Sequence, residues 1–350
     1  MAREIPVRRI AQARLRAQHL VGRPFASPAE CVRWFGAVQA QDYSGALWGI
    51  GQRTKGATRA SIARAIADRA IVRTWPLRGT LHFVAAADVR WMLTFLAPRI
   101  IARAATMYSR LGIDAAVVSR SRRVVEKALE RGGRLTRPAL YRILESARLP
   151  TAEGRGLHIL CRLAHDGAIC FGPHDGKQPT FVLLDDWVPP AAALARDEAL
   201  AELARRYFVS HGPATLHDFA WWSGLTIPEA RRALESSASD LRSEVVDTRT
   251  FWMAPSPPRA TVAPGRAWLL PAFDEYIVAY RDRTAILDPK FALHSGNGIF
   301  SYTVVVDGEV RGTWRPGGTM TPSYFVKPSA AVVQAVHRAA AGYKRFASVA

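Results

Sequence analysis

A chain of 350 residues, 49% of them hydrophobic, exceeds one ordinary domain and can bury several small cores. Its apolar runs, such as 268–273 and 302–306, are much shorter than the roughly 20 residues of a membrane-spanning helix, and the arginine-rich N-terminus (Arg3, Arg8, Arg9, Arg14, Arg16) has no apolar signal region behind it. A net charge of +19 makes nucleic acid the leading partner, because cationic side chains release the counterions condensed on a polyanion; arginine richness of this kind also accompanies genome base composition, so charge alone does not decide the matter.

Apolar positions at Val7, Ile10, Ala13, Leu15 and Leu20 predict a helix over 7–20 that stops before Gly22 and Pro24. Ser27 and Pro28 read as the N-cap and first turn of a helix through Trp34. Residues 46–51 and 62–69 add short helices, and 72–84 reads as two strands broken at Arg78 and Gly79. Helices followed by a hairpin is the order of a winged helix. A second such unit runs from 118 to 172: a helix over 124–129, Thr136 capping a helix over 138–147, a helix over 157–165 and a strand over 168–171. A third covers 196–254, with Leu200, Leu203, Tyr207 and Phe208 on its first helix, Thr215 capping the next, a helix over 227–235 and strands over 241–246 and 250–253. Gly133-Arg-Leu-Thr136 and Gly212-Pro-Ala-Thr215 place a threonine cap at the same offset from a glycine, which marks an internal repeat. Pro189-Pro190 and the proline-rich stretch 255–264 separate the modules.

Beyond residue 267 strands dominate, with 268–270, 302–306 and 310–314, the last two joined at Asp307-Gly308, a strong hairpin turn; Ser329 then caps a final helix through Tyr343. The expected architecture is mainly α with β (α+β). It comprises three tandem winged-helix units (1–100, 101–190 and 191–262) and a β-rich, barrel-like C-terminal domain (263–350) closed by that helix.

Three cysteines, Cys31, Cys161 and Cys170, are too few and too far apart for a zinc site, and no HExxH occurs; reduced, buried thiols, no metal and no cofactor are expected. The segment Val38-Gln39-Ala40-Gln41-Asp42-Tyr43 is the most informative. In an extended backbone alternate side chains share a face, so Gln39 and Gln41 can hold one water between two carboxamides, accepting its hydrogens and donating to its oxygen. They cannot act as a strong base, and a Gln-x-Gln at a helix boundary is otherwise a capping or solvated pair.

Gln39-Ala40-Gln41 resembles the glutamine, apolar residue, glutamine motif of the winged-helix DNA glycosylases of the AlkZ type. Two further blocks are similar to the same family: Arg73-Thr-Trp-Pro-Leu-Arg-Gly-Thr-Leu-His82-Phe, like its first wing, and Leu270-Pro-Ala-Phe-Asp-Glu-Tyr-Ile-Val-Ala-Tyr-Arg-Asp-Arg283, like its C-terminal part. A subgroup of that family has aspartate in place of the second glutamine. Here that position is Gln41, and Asp42 comes one residue later.

The resemblance implies a monofunctional enzyme acting on duplex DNA as a monomer in the bacterial cytoplasm, where its DNA associates it with the nucleoid. It would excise N7-alkylated purines, with Gln39 and Gln41 aiming the attacking water. Family members with the glutamine pair are associated with bulky adducts and interstrand crosslinks, sometimes as self-protection in producers of alkylating antibiotics. No lysine lies in 39–43, so strand cleavage through a Schiff base is not expected. Arg78, Thr80 and His82 in the wing, and Arg120, Arg122 and Arg123, are the candidate DNA contacts, against ordinary cross-strand pairs and a solvated face. Trp34, Trp75, Trp221 and Trp222 offer stacking faces, but their spacing suits a core. Asp274 and Glu275 look like a glycosidase carboxylate couple; neighbours on a strand face opposite ways, and a salt bridge to Arg281 or Arg283 is expected instead. A non-enzymatic winged-helix regulator is the rival reading, and an RNA-binding protein a third.

Overall fold

The computed structural model describes residues 4–190, 194–256, 261–293, 300–317 and 320–348; part of the 255–264 joint therefore lies outside the described residues. The chain opens with α1 (Glu4–Ala17), α2 (Pro28–Phe35), β1 (Ala37–Gln39), α3 (Tyr43–Gly51) and α4 (Arg59–Ala67). There follow β2 (Ile71–Leu77), β3 (Thr80–Ala85), α5 (Ala86–Arg103), α6 (Ala105–Arg110), α7 (Ala115–Leu129), β4 (Leu135–Thr136), α8 (Arg137–Ser146), α9 (Arg155–His165), β5 (Ile169–Phe171), β6 (Thr180–Leu183) and α10 (Leu184–Trp187). The last part holds α11 (Arg196–His211), α12 (Leu216–Ser223), α13 (Ile227–Ser237), β7 (Arg242–Val246), β8 (Arg249–Met253), β9 (Ala267–Leu270), α14 (Glu275–Val278), β10 (Tyr302–Val306), β11 (Glu309–Trp314), β12 (Ser323–Tyr324) and α15 (Ala330–Ser348).

These elements form two compact units, one of residues 63–199 and one that joins 1–62 to 200–350. In the first, strands run in the order β3-β2-β5-β6-β4, and every residue of β2 is buried, Arg73 and Thr74 among its apolar neighbours included. Arg78 and Gly79 both take positive φ, +54° and +77°, which is the turn a two-residue hairpin needs and why a glycine sits there. Val125, Leu129, Leu140, Leu144, Leu160 and Leu163 from α7, α8 and α9 close one core with Ile169 and Phe181 of the sheet. Thr136 stands at the N-cap of α8 as expected, yet its side chain makes no capping bond there.

In the second unit α11, α12, α13 and the β7-β8 hairpin follow in winged-helix order. Thr215 and Thr226 each build a full capping box, with Asp218 and Glu229, so four helix-end donors are satisfied by side chains. Ala11 and Leu15 of α1, with Leu20 and Val21, share a core with Trp268, Leu270, Tyr276, Val305 and Val310. The two ends of the chain are thus folded on each other.

The barrel-like C-terminal domain is not found. The four strands run β12-β11-β10-β9 as an open antiparallel sheet whose edge strands do not pair, and no sheet among the described residues closes. Closure needs enough tilted strands to bring the edges together, whereas β12 contributes only two residues here. α15 lies against the β9 edge instead, with Trp48, Trp314 and Tyr343 meeting edge to face. The architecture is α+β with several open sheets.

Candidate active site

The Gln39 segment belongs to the unit that joins the chain's ends. Ser27 accepts from the Glu30 N–H at 3.2 Å and Pro28 opens α2; Gly36, at φ +75°, ends it and turns the chain into β1. β1 is buried throughout, so Gln39 enters as a largely enclosed side chain, 7% exposed, whereas Gln41, two residues on, is exposed. Asp42 then caps α3, its Oδ1 accepting from the Gly45 N–H at 3.0 Å, and its other oxygen accepts from the Tyr302 hydroxyl. Burial, then Asp42, raise the Tyr302 hydroxyl above its ordinary pKa, so it remains a donor. Both oxygens of Asp42 are engaged in holding the turn.

Behind this segment lie residues 271–275. Arg53, 2% exposed at the end of α3, donates to both oxygens of Asp274 at 2.7 and 2.8 Å, to the Gln18 carbonyl and side chain at 3.0 and 3.1 Å and to the Gly49 carbonyl at 2.8 Å. Burial pulls the guanidinium pKa down, but Asp274 outweighs that and leaves it raised. The expected partner of Asp274 was Arg281 or Arg283; it is Arg53, 221 positions away, because the loop after β9 turns back onto α3. Glu275 accepts from the Gln39 main-chain N–H at 2.8 Å and from the Trp222 indole at 3.0 Å, and lies 3.3 Å from His211 Nε2. Its burial, 2% exposed, went unforeseen because no local spacing records a partner 236 residues away. Cys31 is wholly buried, and desolvation pushes its thiol up to about 12, which leaves it unreactive.

A cavity of about 10 Å³ is bounded by Gln39, Arg53, Phe273, Asp274 and Glu275. It has room for no more than a water-sized group, so a purine is not received on this buried face of Gln39.

The candidate DNA contacts lie in the 63–199 unit. Arg78 is at the β2-β3 turn, Thr80 donates to the Leu77 carbonyl at 3.2 Å, and His82, fully buried, has Nδ1 2.8 Å from the Thr80 carbonyl. Arg120, Arg122 and Arg123 are exposed on α7; Arg120 reaches the Ala147 carbonyl, Arg122 pairs with Glu126 at 2.7 Å and Arg123 donates to Ser119 at 2.9 Å. Trp75 and Trp222 are buried, Trp34 donates to the Ala17 carbonyl, and Trp221 is 47% exposed while its indole donates to the Val278 carbonyl.

Three helices followed by a hairpin, as in α11, α12, α13 and β7-β8, is the order of a winged helix, a class of DNA-binding fold. Residues 32–346 match the family described as DNA glycosylase AlkZ-like. The chain is 27% identical over 329 residues to the interstrand DNA cross-link repair glycosylase of Streptomyces sahachiroi, covering 88% of this chain and 87% of that protein. The solved structure of Streptomyces sahachiroi DNA glycosylase AlkZ superposes with a TM-score of 0.79 at 26% identity, over 98% of this chain and 96% of that one. The chain belongs to the AlkZ-like DNA glycosylase family. It is a DNA-binding hydrolase of N-glycosyl bonds rather than a non-enzymatic regulator. Among the described residues no helix is long and apolar enough to cross a membrane.

Proposed function

We propose that this protein hydrolyses the N-glycosidic bond of N7-alkylated purines in duplex DNA, with Gln39 and Gln41 aiming the water, and that bulky adducts and interstrand crosslinks are among its substrates. The observation that carries the reading is the match of residues 32–346 to the AlkZ-like family, which spans the Gln39-Ala40-Gln41 segment; the neighbouring Asp42 is already bonded to Gly45 and Tyr302. The name of the Streptomyces sahachiroi relative supports the crosslink as substrate.

The chemistry asked of two amides is modest. Alkylation at N7 puts a positive charge on the purine, so the electron pair of the breaking C1′–N9 bond neutralises the leaving base without an acid. The sugar is left with oxocarbenium character, a water oxygen bonds to C1′, and the surplus proton passes to solvent. What the protein must supply is the placement of that water, which is a problem of orientation rather than of basicity.

The test is single-turnover base release from a duplex containing one N7-methylguanine. Gln39→Ala and Gln41→Ala should each slow release by about 100-fold while leaving the dissociation constant for the same duplex within about twofold. Uracil and unmodified adenine, which are uncharged on the sugar and would have to depart as anions without an acid, should be released hardly at all. A variant of either glutamine that keeps the wild-type rate removes that residue from the reaction.

A further inference from the structure

We propose that Glu275 is a positioning residue of the glycosylase reaction: its carboxylate fixes the main chain at Gln39 and so sets the direction of the first carboxamide. The inference rests on the reading of Gln39 as a catalytic residue. Glu275 opens α14 directly after Asp274 and is buried. One oxygen takes the Gln39 N–H at 2.8 Å; the other takes the Trp222 indole N–H at 3.0 Å and faces His211 Nε2 at 3.3 Å. Trp222 and His211 are themselves fully buried, and His211 is stacked on Tyr207 with ring centres 4.8 Å apart. The acid therefore has a rigid seat behind it and the glutamine strand in front.

A buried carboxylate is a costly way to satisfy one strand-end N–H, since water or a backbone carbonyl serves as well. What the carboxylate adds is two acceptor ends joined by a planar group, so that the position of Gln39 is referred to the core formed by α11 and α12. Next to it, Asp274 anchors α3 through Arg53, and Tyr302 holds Asp42. The turn 39–42 is tied on both sides, and the tie on the Gln39 side ends on a residue assigned to the chemistry.

An amide cannot replace this group. Glu275→Gln keeps the shape but has one acceptor oxygen, so its NH2 must confront either the Gln39 N–H or the indole N–H, neither of which can accept. In single-turnover release of N7-methylguanine, run well below the thermal midpoint of each variant, E275Q should be slowed about 100-fold with the half-saturating enzyme concentration within about twofold of wild type. A merely structural residue would give wild-type turnover wherever the variant is folded. Release by folded E275Q within about threefold of wild type overturns the proposal. Should E275Q not fold, Glu275→Asp is measured in the same way: slower release at unchanged half-saturation supports the assignment, and wild-type release overturns it. If neither variant folds, Glu275 serves the fold and the assignment fails. Gln39→Ala in parallel separates the two readings. An active Q39A sinks the glutamine pair itself, whereas an inactive Q39A beside an unimpaired E275Q sinks only the role of Glu275.

Discussion

Asp42, Asp274 and Glu275 all accept bonds that fix the backbone around residues 39–53, so the acids near the glutamine pair are engaged as anchors. A different residue shows what burial does without such partners. His165, at the end of α9, is 7% exposed, and desolvation lowers its pKa from 6.5 to about 4, with Asp166 opposing and Arg162 adding to the fall. Between those two values the unfolded chain binds more protons than the folded one. Stability should be flat above pH 6.5 and fall as the pH drops towards 4, by at most about 3 kcal/mol from this group. Urea unfolding at pH 7 and pH 4.5 checks it; His165→Leu should lose less over the interval, and an equal loss in both proteins would show that His165 is not held neutral. At this scale the sequence offered Gln39 and Gln41 as candidates and singled out Glu275 beside Asp274, but did not reveal the partners of Glu275. The two glutamines announce themselves by spacing in one hexapeptide, whereas the partners of Glu275 come from 53, 64 and 236 positions away.

Among the elements, α3 has an unusual composition for a helix, Tyr-Ser-Gly-Ala-Leu-Trp-Gly-Ile-Gly, and the reason is proximity. A Cβ on Gly45 would overlap Asp42 Oδ2 and lie 2.9 Å from Pro271 Cβ, and one on Gly49 would lie 3.2 Å from Asp274 Oδ2, so the glycines make room for the Asp42 cap and for the 271–274 segment. Gly45→Ala should displace the Asp42 carboxylate from its cap and press on Pro271. We expect a loss of about 1–3 kcal/mol from overpacking, together with slower base release, measured by urea unfolding and single-turnover kinetics. A stable, fully active G45A would show that the close approach is dispensable. Elements with capping or turn signals were legible: Ser27-Pro28, Thr215, and the Arg78-Gly79 and Asp307-Gly308 turns all fall where expected. The 18-residue helix α5 was not, since Ala85 offers no side-chain cap and Pro98 sits inside it. The barrel was misread for a related reason: alternation reveals strands but not whether the outermost two meet.

Across the molecule, a charge of +19 on a family that works on DNA makes binding steeply dependent on salt. The logarithm of affinity should fall linearly with the logarithm of salt concentration. Replacing Arg120, Arg122 and Arg123 together by alanine should reduce the slope by about 0.9 for each phosphate no longer neutralised, and an unchanged slope would remove α7 from the DNA interface. The unit that contains Gln39 is built from residues 1–62 and 200–350, with Glu275 and Tyr302 both supplied by the later stretch. During synthesis the glutamines leave the ribosome early, whereas Glu275 and Tyr302 follow only with the final quarter of the chain. A polypeptide ending before residue 275 would carry both glutamines without the carboxylate that accepts the Gln39 N–H and without Tyr276, Val305 and Val310, which share a core with α1.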